Sequence, residues 1–187
     1  MPLKTRRCER VTLVLDLDET LIHSEAEYIP DADDKLEFVL GGEKLQVYVR
    51  HRPKVREFLR RANQLFEVVI FTASLREYAD ALLKSLDPGR RLLKHRYYRD
   101  SCVEINGVYV KDLSALGRDL RQVVMVDNSL PAFGYHLDNG ILIQSWYQDR
   151  EDRALEQLWD FLEGEMATVE DVRLVLRRVF GLSRLLV

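Results

Sequence analysis

Apolar residues gather into three short runs, VTLVL at 11–15, FEVVIF at 66–71 and QVVMV at 122–126. None alternates with polar residues in the manner of a half-solvated strand, so each predicts a strand covered on both faces, as in a parallel sheet. Between them the spacing becomes helical. Val55, Phe58, Leu59, Ala62 and Leu65 share one face, and Arg52-Pro53 predicts a helix start with Pro53 at the first helical position. Leu75, Tyr78, Ala79, Leu82, Leu83 and Leu86 predict a second helix, capped by Ser74 and stopped at Asp87-Pro88-Gly89. Two further helices are predicted over about 150–162 and 168–179; Leu155, Leu158, Trp159 and Leu162, then Val172, Leu176 and Val179, keep helical spacing and read as core. Strands alternating with helices imply right-handed crossovers and a parallel sheet.

Shorter signals fill the gaps. Residues 36–40 and 45–50 flank Gly41-Gly42 and predict a hairpin inserted after the first strand, either a flap over a site or an edge hairpin. The acidic piece 25–35 reads as irregular. Residues 95–99 and 102–105 read as short strands, Asn106-Gly107 as a tight turn into 108–111, 112–117 as a helical turn, and 141–143 as one more strand.

Composition narrows the class. A chain of 187 residues, 47% of them hydrophobic, suffices for one domain with its own core. The net charge of -3 steers it to neither nucleic acid nor membrane. Arginine doublets occur at Arg6-Arg7, part of a short tail, and at Arg60-Arg61, Arg90-Arg91 and Arg177-Arg178; for most, solvated helix faces are the plain reading and a phosphopeptide patch the lesser one. Cys8 and Cys102 show neither disulfide nor zinc spacing, which predicts a reducing compartment, nuclear or cytoplasmic. The basic residues 1–10 precede no apolar signal core, and no run is long enough to span a bilayer; an anchor in a longer form would lie outside this chain. A monomer is expected.

The chemistry lies where the apolar runs end: Asp16 and Asp18 after the first, Thr72-Ala73-Ser74 after the second, Asp127-Asn128-Ser129 after the third. Parallel sheets bind ligands outside the carboxyl ends of their strands. Two acids separated by one leucine suit a turn cap, but buried together they cannot both stay ionised without a cation or a shared proton.

Asp16-Leu17-Asp18-Glu19-Thr20-Leu21 resembles the D-x-D-x-T signature of the haloacid-dehalogenase phosphatase superfamily, and DLDETLIHS resembles its carboxy-terminal-domain phosphatase branch, the FCP/SCP-like proteins with the small and dullard-type phosphatases. Later segments resemble further motifs of that branch: FTAS at 71–74, VKDLS at 110–114, VDNS at 126–129 and QSWY at 144–147, with Arg96-Tyr97-Tyr98-Arg99 closest to the dullard type. The resemblance runs from Val11 to about Gly181. It implies an α/β fold, a haloacid-dehalogenase-like Rossmannoid parallel sheet flanked by helices, with a small hairpin insertion and one FCP-homology domain over 11–187 behind a basic tail at 1–10.

The resemblance further implies a Mg²⁺-dependent phosphoserine/phosphothreonine protein phosphatase that forms an aspartyl-phosphate. Asp16 is then the nucleophile and Asp18 the general acid and base. The metal would be held by the Asp16 carboxylate, the Asp18 backbone carbonyl and Asn128. Thr72 and Lys111 would hold the phosphoryl group and Arg99 would lie near the phosphopeptide. Thr20 and Asp127 would support these groups, Asp127 by orienting Lys111 or a water beside the metal. The chain departs from the family at Ser129-Leu130-Pro131, where proline usually follows the serine directly, and at Ala26, where the small phosphatases carry an aromatic that binds a substrate proline. A substrate pocket is therefore expected on Leu75 and Tyr78 alone, and the substrate is the RNA polymerase II C-terminal domain or another phosphoprotein. A phosphopeptide-binding or scaffold module on the same fold is the alternative from another class. A small-molecule phosphatase fits less well, because no large cap insertion is present.

Overall fold

The computed structural model describes residues 11–186, so the expectations for Arg6, Arg7 and Cys8 lie outside the described residues. The first apolar run becomes β1 (Thr12–Leu15), buried along its length. The chain then forms β2 (Ile22–Glu25), β3 (Asp34–Leu40), β4 (Glu43–His51), α1 (Val55–Leu65), β5 (Glu67–Phe71), α2 (Arg76–Leu86), β6 (His95–Tyr97), β7 (Val103–Ile105), β8 (Val108–Val110), β9 (Val123–Asp127), β10 (Gly140–Leu142), α3 (Ala154–Phe161) and α4 (Val172–Val179). The main sheet has the order β10-β9-β1-β5-β6, and each neighbouring pair is parallel. In register, Leu15 stands beside both Ile70 and Val126. The three strand ends that carry polar residues are thus adjacent.

Apolar groups cover both faces of this sheet. Leu13 and Leu15, Val68 and Ile70, and Val124 and Val126 face one core with α1, α2, α3 and α4. Val14, Val69, Phe71 and Met125 face a second core with Leu113, Leu116 and Phe133. Continuous hydrophobic runs are the consequence of being covered twice.

The predicted hairpin forms across Gly41 and Gly42, both at positive φ (60° and 87°), a conformation that glycine adopts without steric cost. It joins β2 in a separate sheet of order β2-β4-β3, and β3 packs on α2. It is therefore an insertion beside the parallel sheet rather than an edge of it. Asn106 and Gly107 turn the second hairpin at φ 51° and 80°, as the sequence predicts.

Several local expectations need correction. α1 begins at Val55 and not at Pro53, because Lys54 adopts φ 64° and a left-handed residue cannot continue a right-handed helix. Ser74 does not cap α2; the cap position is Leu75, without a side-chain bond. Part of the acidic stretch after Ser24 is strand. Arg90-Arg91 lies in the turn after α2, not on a helix face. α3 starts at Ala154 and ends in a π-helical turn over Leu162–Met166, and α4 starts at Val172, where Asp171 accepts from the Arg173 backbone N–H.

One buried cation joins the layers. Arg52 is 1% exposed; its Nε and Nη2 donate to Asp152 at 2.8 and 2.9 Å, and its Nη1 donates to the Thr20 carbonyl at 3.0 Å. It ties the entry to α1 to the loop after β1 and to the turn before α3. Removing one partner of a buried pair leaves the other charge uncompensated. Asp152→Ala is expected to lower the unfolding free energy by about 3 kcal/mol in urea denaturation, near the lower end of that effect because Asp152 is partly solvated.

Candidate active site

The site is built at the carboxyl end of β1. Asp16 continues the strand, its N–H donating to the Val126 carbonyl at 3.0 Å. Side chains of an extended chain alternate, so Asp16 and Asp18 fall on one side while Leu17, fully buried, enters the core. The chain then coils tightly: Leu21 N–H donates to Leu17 O at 2.9 Å and Glu19 adopts φ 55°. Glu19 in the left-handed region is a strained placement, held by its N–H to Ile22 O at 2.7 Å and by the Trp146 N–H to its own carbonyl at 2.8 Å. This coil lets two acids one residue apart enter the same space.

That space is a cleft of about 320 Å³ lined by Asp16, Asp18, Thr72, Lys111, Asp127 and Asn128, with Glu19, Ser74, Arg99 and Tyr109 at its sides. Lys111 follows β8 directly and is 2% exposed. Its Nζ donates to Asp16 Oδ1 at 2.5 Å and to Asp127 Oδ2 at 2.6 Å. Asp127 Oδ1 accepts from the Ser129 N–H at 2.8 Å. Burial draws the ammonium pKa down, but Asp16 and Asp127 together raise it further, so Lys111 remains charged. Burial pushes the Asp127 carboxyl up, against the opposing pull of Lys111.

Asp18 lies in a different environment. Tyr78 donates its hydroxyl to Oδ1 at 2.6 Å, and Ser74 Oγ donates to Oδ2 at 2.7 Å. Thr72 Oγ1 lies 3.5 Å from Oδ2 and accepts from the Ser74 N–H at 3.0 Å. Burial, helped by the neighbouring Asp16 charge, raises the Asp18 carboxyl to about 6 despite the two hydroxyl donors. Adjacent carboxylates thus differ: one meets an ammonium and the other meets hydroxyls.

Asn128 donates through Nδ2 to Ser145 Oγ at 3.0 Å, which fixes the amide, while its Oδ1 accepts from Thr20 Oγ1 at 3.4 Å. The cleft therefore offers oxygen donors of the kind a hard divalent cation takes: the Asp16 carboxylate, the Asn128 amide oxygen and the Asp18 backbone carbonyl. Among the described residues no three His, Cys, Asp or Glu side chains gather into a metal cluster. The set predicted from the sequence has only one side-chain carboxylate and is of another composition.

Arg99 also reaches the cleft, its Nε donating to the Ala73 carbonyl at 2.6 Å and its guanidinium 5.0 Å from the centre of the Tyr109 ring. A second, shallower cleft adjoins the first and shares Asp18, Glu19, Ser74 and Arg99 with it. Leu75 and Tyr78 line it as the sequence predicts, but not alone, because Phe38 and Leu40 of β3 complete the wall. Phe38 meets Tyr78 edge to face, ring centres 5.7 Å apart. Ala26 leaves no aromatic at its own place, but Phe38 of the hairpin puts one in this wall.

Sequence reasoning overlooked the hydroxyls of Ser74 and Tyr78 as ligands of Asp18, and Ser24, whose Oγ lies 2.6 Å from the Tyr78 hydroxyl. No helical spacing signalled this pair, because Ser74 precedes α2, whose cap position is Leu75.

The parallel sheet with its acid pair, threonine and asparagine on neighbouring strand ends, and a lysine brought in from β8, has the arrangement of a haloacid-dehalogenase-like fold. Residues 11–173 match the family of NLI interacting factor-like phosphatases, and the chain belongs to it. The chain is 46% identical over 186 residues to CTD small phosphatase-like protein 2 of Dictyostelium discoideum, covering 100% of this chain and 32% of that protein. It is 45% identical to CTD small phosphatase-like protein 3 of Caenorhabditis elegans (97% of this chain, 63% of that one). It is 43% identical to the human carboxy-terminal domain RNA polymerase II polypeptide A small phosphatase 1 (94% and 66%). The chain thus spans between 32% and 66% of the length of these relatives. Among solved structures, that of Fcp1, an essential RNA polymerase II CTD phosphatase, shares the fold with a TM-score of 0.78 at 18% identity, over 92% of this chain and 71% of that one.

Without Lys111, the buried Asp127 would lose the cation that opposes its burial and would titrate higher still in the folded chain. Raised carboxyl values keep stability below the ordinary range near pH 4 and lose it as pH climbs through them. Lys111→Met is therefore expected to unfold at lower urea than the unaltered protein at pH 7, by about 3 kcal/mol, and the deficit is expected to shrink at pH 5.

Proposed function

We propose that this domain hydrolyses phosphoserine and phosphothreonine monoesters of proteins through an aspartyl-phosphate on Asp16. The observation that carries the reading is Lys111, buried and charged between Asp16 and Asp127 in the cleft that Asp18 and Thr72 also line. A phosphoryl group beside Asp16 would meet the Lys111 ammonium and the Thr72 hydroxyl, which favour the charge that spreads over its oxygens. Asp16 attacks phosphorus and the ester oxygen departs. Asp18, raised to about 6, gives that oxygen its proton and afterwards takes one from the water that cleaves the acyl phosphate. Mg²⁺, held by Asp16, Asn128 and the Asp18 carbonyl, would supply positive charge that offsets repulsion between Asp16 and the phosphate dianion.

The relatives' names include CTD small phosphatases, and one names RNA polymerase II. We carry the class of substrate over to this chain as a phosphoprotein, the polymerase tail being one candidate. The cleft lined by Phe38, Leu40, Leu75 and Tyr78 would receive an apolar residue next to the phosphorylated one.

Asp16→Asn is expected to abolish hydrolysis of p-nitrophenyl phosphate while the circular dichroism spectrum is unchanged; full turnover in that variant would refute the nucleophile. Chelation with EDTA is expected to abolish turnover and added Mg²⁺ to restore it. Phosphopeptide binding without any turnover by the unaltered, Mg²⁺-supplied protein would favour a binding module. Because the first step uses protonated Asp18, kcat/KM on phenyl phosphate is expected to fall as pH rises above about 6. A rise over that range would remove Asp18 from the role of acid.

A further inference from the structure

The arginine doublet Arg60-Arg61 divides in the structure. Arg61 pairs with Glu163 at 3.5 Å, and its guanidinium lies 4.4 Å from the centre of the Trp159 ring. Arg60 is exposed and pairs with no carboxylate among the described residues. Arg56, one turn earlier on α1, is also exposed and also lacks one; its Nη2 donates to the neutral Ser85 carbonyl at 3.3 Å. Exposed arginines elsewhere hold an acid: Arg76 holds Asp100, Arg121 Asp119, Arg153 Glu156 and Arg178 Glu165. Like charges four apart on a helix repel each other, so the Arg56–Arg60 pair is a local cost that α1 carries uncompensated.

Both arginines line a shallow groove of about 370 Å³ with His51, Arg52, Lys54 and Glu57. The other charges of this groove have partners. Arg52 is held by Asp152 and the Thr20 carbonyl, His51 faces Asp34 at 3.0 Å, and Lys54 lies 3.9 Å from Glu57. None of the groove's residues lines either cleft at the strand ends. We infer that this groove docks an acidic segment of a partner protein, outside the catalytic cleft, with side-chain carboxylates on Arg56 and Arg60. A planar guanidinium takes a carboxylate through two parallel N–H donors, and two such forks one turn apart suit carboxylates spaced along a peptide. A continuous polyanion fits less well. Glu57 stands on the same helix, Asp33 and Asp34 act on His51 from β3 and the turn before it, and the chain's net charge is -3. A nucleic-acid backbone or an anionic bilayer would meet that repulsion around the two cations. A bilayer also asks for apolar side chains that insert, and Val55 of the groove is buried. A phosphoprotein carrying such a segment would be held at two points, which raises its concentration at the cleft. That consequence rests on the phosphatase reading, whereas the docking does not.

The probe is a fluorescein-labelled oligoglutamate peptide, and its binding to the full chain is read by fluorescence anisotropy at low ionic strength without divalent cation. The unaltered chain is expected to bind it. Arg56→Ser/Arg60→Ser is expected to bind about tenfold more weakly, the loss of two exposed ion pairs at the upper end of their usual worth. Added salt is expected to narrow that difference. Arg121→Ser/Arg178→Ser removes the same charge from two exposed arginines that hold acids, and is expected to leave binding unchanged. No binding by the unaltered chain, or an equal loss in both double variants, would overturn the inference. So would tighter binding of oligouridylate or of phosphatidylserine vesicles through the same two arginines. Should thermal melting show Arg56→Ser/Arg60→Ser to be misfolded, Arg60→Ser alone is expected to lose about threefold. Turnover of p-nitrophenyl phosphate is expected to be equal in Arg56→Ser/Arg60→Ser and the unaltered chain; a loss would place these arginines in the active site and overturn the separate groove. An unaltered chain inactive on that ester would end the phosphatase reading and leave the binding result intact, so the two failures are distinct.

Discussion

The buried ammonium of Lys111 is the constraint from which the rest of the site follows. A cation at 2% exposure requires anionic partners at hydrogen-bond distance, and it has two, Asp16 and Asp127. Those acids stand on neighbouring strands because β1 lies between β5 and β9 and is in register with both. The lysine comes from outside the main sheet, at the end of β8, and its own N–H donates to the Ala132 carbonyl at 3.0 Å. Sheet order, the small hairpin and the turn after β9 therefore all bear on the position of one nitrogen.

The parts legible in the sequence were those where one physical requirement acts locally. Unbroken β-branched runs had to be buried strands, and acids directly after them had to meet at the strand ends. Asn106-Gly107 and Gly41-Gly42 announced turns because their backbone conformations need positive φ. What was illegible depended on competition between partners distant in sequence. Serine before a helix is a good cap by local preference, yet Ser74 donates to the Asp18 carboxylate, and a hydrogen bond to a charged acceptor is the stronger choice. Pro53 has the fixed φ of a helix start, but the left-handed Lys54 that follows it defers the helix to Val55. β2 is four residues, IHSE, too short and too polar to stand out without β4 beside it.

The hairpin resolves a choice that its sequence left open. Its strands pair with β2 in a sheet of their own and lie on α2, so they add a wall above the strand ends instead of extending the parallel sheet. Phe38 and Leu40 come from that wall. The apolar cleft is thus assembled from the insertion and α2, and the polar cleft around Asp16 from the ends of the sheet. Changes in β3 can alter that apolar wall without touching Asp16, Lys111 or Asp127.

Asp16 and Asp18 have the same chemistry in sequence and acquire different chemistry by position. Asp16 accepts from the buried Lys111 ammonium at 2.5 Å. Asp18 meets only hydroxyls at comparable distance, and hydroxyls compensate burial less fully than a cation does, so its proton is held to about 6. Two acids one residue apart thus meet different surroundings. Here the separation comes from which strand end each acid faces: Lys111 and β9 on one side, α2 with Ser74 and Tyr78 on the other. Leu17, locked in the core between them, keeps the two acids from exchanging those surroundings.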